Sequence, residues 1–311
     1  MRILQQLLAS SRRNVDERGI RGLGATALSG MNFVTNEIKY QTFHKSDAVN
    51  VYDRDWDVLI LLDCATIDMM AEVAGEYPFV DNIGEHVSMG TCSDEWMRHT
   101  FTEEYRDEMD RTLHVTANTS SNRHLRDDQF LHLEEVWEDG WDEEQGTILA
   151  QEVTDRAIHF HRELDPDRTI IHYMQPHLPF VNNDIESNIV TPVGVQGEGL
   201  TLGELHDEGY SRDTLWSASL DNLRYVLDDV ELLLDSIDAQ HVVLSSDHGQ
   251  AFGEEGVWAH PCYTYIDVLK RVPWCVTSAS DNGEYQPMYE PQPEREPNLS
   301  VEEKLEALGY K

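Results

Sequence analysis

The chain has 311 residues, 40% of them hydrophobic, so it can bury a large core as one big domain or two modest ones. Its 59 acidic residues outnumber 23 basic ones and give a formal net charge of -36, which excludes nucleic acid and anionic membranes as expected partners. Because the apolar residues are grouped in periodic blocks, the acidity does not indicate disorder. We interpret it as adaptation to a salty cytoplasm, where salt screens the repulsion.

The sequence predicts three segments. Residues 1–50 form an N-terminal arm or helix, residues 51–277 a catalytic core, and residues 278–311 an extended tail with a short C-terminal helix. The N-terminus lacks a signal-peptide pattern, and the longest apolar run is far shorter than the ~20 residues needed to span a bilayer. We therefore expect no transmembrane segment and a cytoplasmic location.

Five short apolar runs are predicted to form buried strands of a mainly parallel central sheet: 58–62, 113–116, 169–174, 242–244 and 272–277. Amphipathic helical patterns lie between them, most clearly over 213–237 and more weakly over 148–164. This alternation predicts an α/β fold with helices on both faces of the sheet.

Polar side chains stand where the predicted strands end. Asp63 follows the first strand, His172 and His177 lie at or just past the third, and Asp247 and His248 follow the fourth. In open α/β sheets, ligands bind at the carboxyl ends of the strands. These residues are therefore the first candidates for a binding site.

Two of these strand ends favour a metal site. In Asp247-His248-Gly249, the glycine permits a sharp turn that lets both side chains reach one divalent cation. A strand-end turn with a capping aspartate is the alternative. Asp63 is costly to bury without a cation or several donors, although it could instead be the N-cap of a helix over 65–74.

The stretch "GTCSDEW" supplies a hydroxyl group at a predicted helix start. Near a metal that lowers its pKa, Ser93 becomes a nucleophile able to attack phosphorus or sulfur. A simple N-cap is the alternative role of Ser93. His260 follows a glycine-rich loop that could return it to the same site, and a structural histidine before a proline is its alternative.

The chain has four cysteines: Cys64, Cys92, Cys262 and Cys275. They form no CxxC pair and are too few for a disulfide scaffold in a chain of this length. We therefore expect free, mostly buried thiols.

Together, "DVLILLDCATID", "GTCSDEW", "HYMQPHLPF", "SSDHGQAFGEEGVWAHP" and "EEKLEALGY" resemble the sulfatase-like proteins of haloarchaea, within the alkaline phosphatase superfamily, over residues 51–311. The resemblance implies an alkaline-phosphatase-like fold. It also implies one metal ion and assigns the metal ligands and nucleophile by position. The metal ligands would be Asp63, Ser93, Asp247 and His248, with Ser93 also the nucleophile. His177 and His260 match positions that hold a second metal or contact substrate.

The chain departs from the family pattern at several positions. Thr66 stands where similar proteins carry an arginine that would stabilise phosphoryl charge. Neither Cys64 nor Cys92 has the context for conversion to formylglycine, which disfavours sulfate ester hydrolysis. Tyr173 replaces an aspartate of two-metal members. We therefore expect a single cation, Mn²⁺, Mg²⁺ or Zn²⁺ and less readily Ca²⁺, with His177 and His260 facing substrate.

The predicted function is a metal-dependent hydrolase or transferase acting on phosphate esters, and less readily on sulfate esters. Its substrates would be small molecules, glycans or lipid head groups, with His177 or His260 donating a proton to the leaving group. A degenerate member that binds an anionic ligand or a partner without turnover is the alternative, motivated by Thr66. An isomerase of the phosphomutase branch is disfavoured by Tyr173.

Overall fold

The structure is a computed structural model that describes residues 47–183, 185 and 201–289. Over these ranges a large, mostly parallel sheet is packed between helices, which confirms the predicted fold class. The arm before residue 47 and the tail after residue 289, with its predicted terminal helix, lie outside the described residues. The three-segment division of the chain therefore stays a prediction.

All five predicted runs are strands of one seven-stranded sheet, whose order is β2-β11-β8-β1-β7-β3-β4. In chain order the strands are β1 Val58–Leu62, β2 Gly84–Val87, β3 Thr112–Thr116, β4 His132–Glu135, β5 Trp141–Asp142, β6 Thr147–Ile148, β7 Arg168–Tyr173, β8 Ala239–Ser245, β9 Ala251–Phe252, β10 Trp258–Ala259 and β11 Arg271–Ala279. Strands β8, β1, β7, β3 and β4 run parallel. Strand β11 is antiparallel to both β8 and β2, so one side of the sheet is mixed. The pairs β5-β6 and β9-β10 form two small separate sheets.

Helices connect and cover the strands. They are α1 Ile67–Val73, α2 Ser93–Thr100, α3 Arg106–Met109, α4 Ser121–His124, α5 Ala150–Leu164, α6 Leu202–Asp207, α7 Arg212–Leu234 and α8 Asp267–Lys270. The helical patterns predicted over 148–164 and 213–237 correspond to α5 and α7. Helix α7 begins after Ser211, whose side chain accepts a hydrogen bond from the Thr214 backbone N–H. Among the described helices, none combines the length and apolar character that crossing a bilayer requires.

Both faces of the sheet are buried, as strand β1 illustrates. Successive residues of a strand point to opposite faces. Val58 and Ile60 pack in the cluster that contains residues of α1, α5 and α7. Leu59 and Leu61 pack on the other side, in the cluster that contains Trp96 of α2. A central strand covered on both faces explains why β1 is an unbroken apolar run rather than an alternating one.

The expectation of four free thiols is wrong for two of them. Cys92 and Cys262 form a disulfide, with their Cα atoms 5.1 Å apart, whereas Cys64 and Cys275 are buried free thiols. The two bonded cysteines are separated by 170 residues in the chain. A disulfide requires close Cα atoms and suitable side-chain directions. Only the packing of the loop after β10 against the start of α2 creates that proximity.

Candidate active site

The ends of β1 and β8 bring the predicted metal ligands together. These strands are neighbours in the sheet, so Asp63 and the Asp247-His248 pair emerge at the same edge. His248 Nε2 lies 3.5 Å from Asp63 Oδ1 and 3.3 Å from Asp247 Oδ2, and all three side chains are almost completely buried. The structure therefore places the three residues in one cluster.

The orientation of His248 gives this cluster its chemical character. His248 Nδ1 lies 2.9 Å from the Gly249 carbonyl oxygen, which can only accept, so Nδ1 carries the proton in the neutral ring. The Nε2 lone pair then faces the two carboxylates. The lone pairs of an imidazole nitrogen and of carboxylate oxygens thus face one another across a small space, which is the arrangement expected of metal ligands.

Ser93 lies beside the same cluster. It is the first residue of α2, and its Oγ is 3.2 Å from His248 Nε2 and 3.4 Å from Asp63 Oδ2. The N-cap of α2 is Cys92, so the alternative in which Ser93 caps the helix is not what the structure shows. The Ser93 hydroxyl therefore faces the cluster from the N-terminal end of α2.

The alternative role of Asp63 as an N-cap is also excluded. Thr66 is the N-cap of α1, and its Oγ1 accepts a hydrogen bond of 3.2 Å from the Met69 backbone N–H. Thr66 thus has a structural role at the position where similar proteins carry an arginine. The carboxylate of Asp63 therefore has no capping role and lies in the cluster with Asp247 and His248.

Gly249 is required for a different reason than the predicted sharp turn. It is not among the described glycines with positive φ. A Cβ atom at this position would lie 1.8 Å from the Val268 carbonyl oxygen, because the backbone after His248 passes directly over the start of α8. The absence of a side chain, rather than an unusual backbone conformation, therefore lets the Asp247-His248 segment lie where it does.

His177 and His260 meet at the edge of the cluster. Their Nε2 atoms are 3.0 Å apart, and the ring of His260 stacks on that of His248 with centroids 4.6 Å apart. His177 Nδ1 lies 2.5 Å from the Leu178 carbonyl oxygen, so Nδ1 is the donor there, and Nε2 of the neutral ring accepts from His260 Nε2–H. Both predicted histidines thus lie beside the candidate ligands.

Asn118, which follows β3, was missed by the sequence reasoning. Its Nδ2 donates to Asp63 Oδ2 at 2.7 Å and to Ser93 Oγ at 2.8 Å. Its Oδ1 accepts from the Ser120 backbone N–H at 2.9 Å, which fixes the local turn. The signal was present, because Asn118 is a polar residue just past a predicted strand, as Asp63 is.

Cys64 and His172 complete the surroundings of the cluster. Cys64 Sγ donates to Asp63 Oδ1 at 3.1 Å, and burial together with the nearby Asp63 and Asp247 carboxylates holds the pKa of this thiol well above its usual value. His172 Nε2 lies 3.6 Å from Asp247 Oδ2. Tyr173 points elsewhere, with its hydroxyl 2.8 Å from Thr154 Oγ1, so it offers no oxygen to the cluster.

The residues fit a divalent cation by their hydrogen bonding and charge. Asp247 Oδ2 and both ring nitrogens of His172 are buried without a hydrogen-bond partner in the described part of the chain. Burial by itself raises the pKa of Asp63, but positive charge on the surrounding histidines, His177 foremost, would lower that pKa to about 2. Two buried carboxylates are costly unless paired with positive charge. The donor atoms of Asp63, His172 and Asp247, and those of Asp63, Cys64 and His248, lie within 4.8 Å of one another.

The loop that carries Asp247 is fixed from beneath by β2 and α8. Ser88 Oγ donates to the Asp247 carbonyl oxygen, and Lys270 Nζ donates to the Ser88 carbonyl oxygen. Lys270 is almost fully buried, and this burial lowers its pKa to about 7. The position of Asp247 therefore depends on the core of the protein rather than on the loops around the site.

No family model matches the chain, and no curated protein does either. Solved structures share its fold at a distance, and they include a member of the alkaline phosphatase superfamily from Vibrio parahaemolyticus (11% identity, 75% of this chain and 62% of that chain, TM-score 0.40). The soluble domain of lipooligosaccharide phosphoethanolamine transferase A from Neisseria meningitidis is 15% identical, over 70% of this chain and 75% of that chain, with a TM-score of 0.45. The C-terminal periplasmic domain of EcEptC from Escherichia coli, in complex with Zn, is 11% identical over 73% and 74% of the two chains, with a TM-score of 0.44. These similarities are too distant to assign a family or an activity.

Proposed function

We propose that the protein cleaves or transfers the phosphoryl group of phosphate esters, with Ser93 as the nucleophile. The observation that carries the proposal is the environment of Ser93 Oγ. It lies 3.2 Å from the acceptor nitrogen of His248 and 2.8 Å from the donor Nδ2 of Asn118, at the first residue of a helix. A hydroxyl held between an acceptor and a donor, beside buried acidic groups, has the geometry of an activated nucleophile.

A divalent cation would be held by Asp63, Asp247 and His248, with Ser93 Oγ as a further ligand. When bound, such a cation lowers the pKa of a hydroxyl ligand and neutralises charge on phosphoryl oxygens. Two carboxylates, an imidazole and a hydroxyl suit Zn²⁺, Mn²⁺ or Mg²⁺ better than Ca²⁺. We propose one tightly bound ion of this kind.

The side chains then divide the reaction between them. Ser93, whose hydroxyl proton would already have been released to solvent when the hydroxyl pKa is lowered, attacks phosphorus with Oγ. The bond to the leaving oxygen breaks, and protonated His260, supported by His177, gives that oxygen a proton. Water or an acceptor hydroxyl next attacks the phosphoserine and gives its own proton to the now neutral His260, while Ser93 Oγ leaves phosphorus in its original deprotonated form. Asn118 orients Ser93 Oγ, and the N-terminus of α2 stabilises negative charge on the phosphoryl group.

The substrate class we propose is a phosphate ester of a small molecule, glycan or lipid head group. Sulfate esters are a weaker candidate, because Cys92 is committed to a disulfide and no cysteine lies in the context for formylglycine. A cytoplasmic location stays a prediction. The distant likeness to a phosphoethanolamine transferase agrees with a phosphoester substrate but carries none of this argument.

A protein that binds an anionic ligand without turnover is the second candidate. The observation that favours it is Thr66, which caps α1 where an arginine would bind phosphoryl oxygens. In the described ranges, no arginine side chain is hydrogen-bonded to Ser93, Asp63 or Asn118. Without such an arginine, an enzyme would rely on the cation, the N-terminus of α2 and Asn118 to stabilise the phosphoryl charge.

The test is an ester assay in high salt after removal of metal by a chelator and reloading with Zn²⁺, Mn²⁺ or Mg²⁺. Nitrophenyl phosphate mono- and diesters and a nitrophenyl sulfate serve as substrates. Ser93→Ala should lower kcat/KM by about 10³-fold or more, and mass spectrometry should find phosphate on Ser93 in the wild type. The matched control is Ser217→Ala, at an exposed position on α7, which should leave activity unchanged.

Two outcomes contradict the proposal in different ways. Full activity in Ser93→Ala removes Ser93 as the nucleophile. A wild-type protein that binds the metal stoichiometrically, but turns over no phosphate or sulfate ester, supports the non-catalytic candidate instead.

A further inference from the structure

A disulfide links the two sides of the candidate active site. Cys92 directly precedes Ser93, and Cys262 lies two residues after His260. The bond therefore connects the N-terminus of α2, which presents the nucleophile, to the loop that presents the second histidine. Neither Cys92 nor Cys262 belongs to the described hydrophobic clusters or to the described groups of candidate metal ligands.

The loop that carries His260 has a strained backbone on both sides of the histidine. Ala259 and Tyr263 both have φ of 61°, in the left-handed region that favours glycine, although neither is glycine. Residues in such conformations persist only where the surrounding structure holds them. Residues 259–263 therefore depend on external contacts to keep their shape.

Apart from the contacts of the His260 ring with His177 and His248, several of those contacts are made to the start of α2. Thr91 Oγ1 donates to the Pro261 carbonyl oxygen at 3.2 Å, and the Tyr263 backbone N–H donates to Glu95 Oε2 at 3.2 Å. The Thr264 backbone N–H donates to Thr91 Oγ1 at 3.3 Å. The disulfide is the covalent member of this set, and the rest are single hydrogen bonds.

The sequence at the start of α2 shows that Cys92 serves the bond rather than the helix. Ser, Thr, Asp or Asn is the preferred N-cap, because each has a side-chain oxygen that accepts from the first turn. Cys92 occupies the N-cap and makes no capping hydrogen bond. Its side chain reaches to Cys262 instead.

We propose that Cys92 and Cys262 are positioning residues: their disulfide holds His260 at the distance from Ser93 that protonation of the leaving group requires. The proposal rests on the proposed function. Asp63, Asp247 and His248 are fixed by β1, β8 and the contacts beneath them, so they do not depend on the disulfide. Reduction should therefore impair leaving-group departure while metal binding persists.

The test uses the full chain, with excess metal, before and after treatment with a phosphine. The phosphine transfers an electron pair to the S–S bond and becomes its oxide with oxygen from water, and the two sulfurs leave as thiols. Thiol counting under denaturing conditions should then rise from two to four, since Cys64 and Cys275 are already free. The variant Cys92→Ser/Cys262→Ser provides the same open state without a reductant.

The expected result depends on the leaving group. The comparison uses kcat/KM, which covers the steps up to formation of the phosphoserine and leaves out its breakdown. With an alkyl phosphate, whose leaving group needs a proton, reduction should lower kcat/KM by about 10²-fold to 10⁴-fold, the usual range for loss of a general acid. With a nitrophenyl phosphate, whose leaving group departs without a proton, kcat/KM should change little. The Cys92→Ser/Cys262→Ser variant should have the activity of the reduced wild type, and phosphine treatment should not change it. Cys275→Ala should lose activity on phosphine treatment to the same extent as the wild type.

A double-mutant comparison separates positioning from a general loss of structure. In His260→Asn the acid is already absent, so reduction should cause no further loss with the alkyl ester. An equal further loss in His260→Asn would overturn the proposal, because the disulfide would then act through something other than His260. Unchanged kcat/KM for the alkyl ester, after four thiols have been counted, would overturn it as well.

Hydrogen exchange supplies a measurement that does not depend on activity. Reduction should speed amide exchange over residues 259–266 and leave residues 245–249 unchanged. If no ester is turned over by the oxidised protein, the proposed function fails, while the exchange result still decides whether the disulfide holds the loop. Unchanged exchange over 259–266 would refute that holding role directly.

Discussion

Replacing Asn118 by alanine removes a side-chain amide that donates to both Ser93 and Asp63. The bond from Nδ2 to Asp63 Oδ2 is 2.7 Å long and has a charged acceptor, and the bond to Ser93 Oγ is 2.8 Å long. Hydrogen bonds to charged groups contribute about 1.5–3 kcal/mol, and neutral ones about 0.5–1.5 kcal/mol. The two together therefore stabilise the arrangement by about 2–4.5 kcal/mol.

These bonds affect the rate to the extent that they are stronger in the transition state than in the free protein, so their full strength sets the upper limit of the effect. At about 1.4 kcal/mol for each factor of ten, Asn118→Ala should lower kcat/KM by up to about 30-fold to 10³-fold. The assay is steady-state hydrolysis of a nitrophenyl phosphate with saturating metal. Urea unfolding of the same variant measures how much of the effect is a loss of stability.

A second variant, Asn118→Asp, separates the donor role of Asn118 from its role in the turn. The new carboxylate keeps an oxygen that accepts from the Ser120 backbone N–H, but it cannot donate to Ser93 or Asp63 and it lies beside another carboxylate. We expect a loss at least as large as that of the alanine variant. The control is Asn122→Ala, at an exposed position on α4.

The reasoning is refuted if Asn118→Asp retains wild-type kcat/KM. That result would mean that Asn118 only shapes the turn after β3. Equal losses in Asn118→Ala and Asn122→Ala would point to a general weakening of this segment instead.

Two further predictions concern stability. Gly249→Ala places a Cβ atom 1.8 Å from the Val268 carbonyl oxygen, so we expect the variant to be destabilised by about 3 kcal/mol or more and to bind metal more weakly. Thermal unfolding with and without metal measures both effects. An unchanged melting temperature would contradict the close approach. Burial and the nearby Asp155 and Asp228 carboxylates raise the pKa of Asp229 from 3.8 to about 6. Between these two pH values the folded state binds more protons than the unfolded state, so the free energy of unfolding falls as the pH rises through this range. Asp229→Asn should therefore stabilise the protein at pH 8 by about 1 kcal/mol, after allowance for solvent screening, and the gain should vanish toward pH 4. Glu231→Gln, exposed on the same helix, should show no such dependence in urea unfolding.

Much of the candidate site followed from the sequence, because its candidate ligands end neighbouring parallel strands. Asp63, Asp247 and His248 needed only the assignment of two apolar runs as strands, since parallel strands present their carboxyl ends at one edge. Asn118 belongs to the same edge but lies at the end of β3, two places from β1 in the sheet order. No local pattern states that order, so its bridge between Asp63 and Ser93 was not predicted.

Local rules left some choices open that packing then closed. Asp63, Thr66 and Ser93 are all plausible N-caps by residue type, and the structure gives a cap role to Thr66 alone of the three. Gly249 was expected to permit a turn, but it permits a close approach to Val268. The residues at which α1 and α2 begin decide which side chain is the N-cap, and the backbone of another element, at Val268, decides why residue 249 is glycine.

The sequence by itself determined the α/β class, five of the seven strands of the main sheet, the two long helices and the strand-end acids, because periodicity and strand-end position are local properties of the chain. The tertiary structure decided which residues meet across long separations: Asn118 with Ser93, His177 with His260, and Cys92 with Cys262. These contacts depend on sheet order and on how the loops pack over its edge. A disulfide between residues 170 positions apart has no local signature, since only the packed fold brings its two sulfurs within bonding distance.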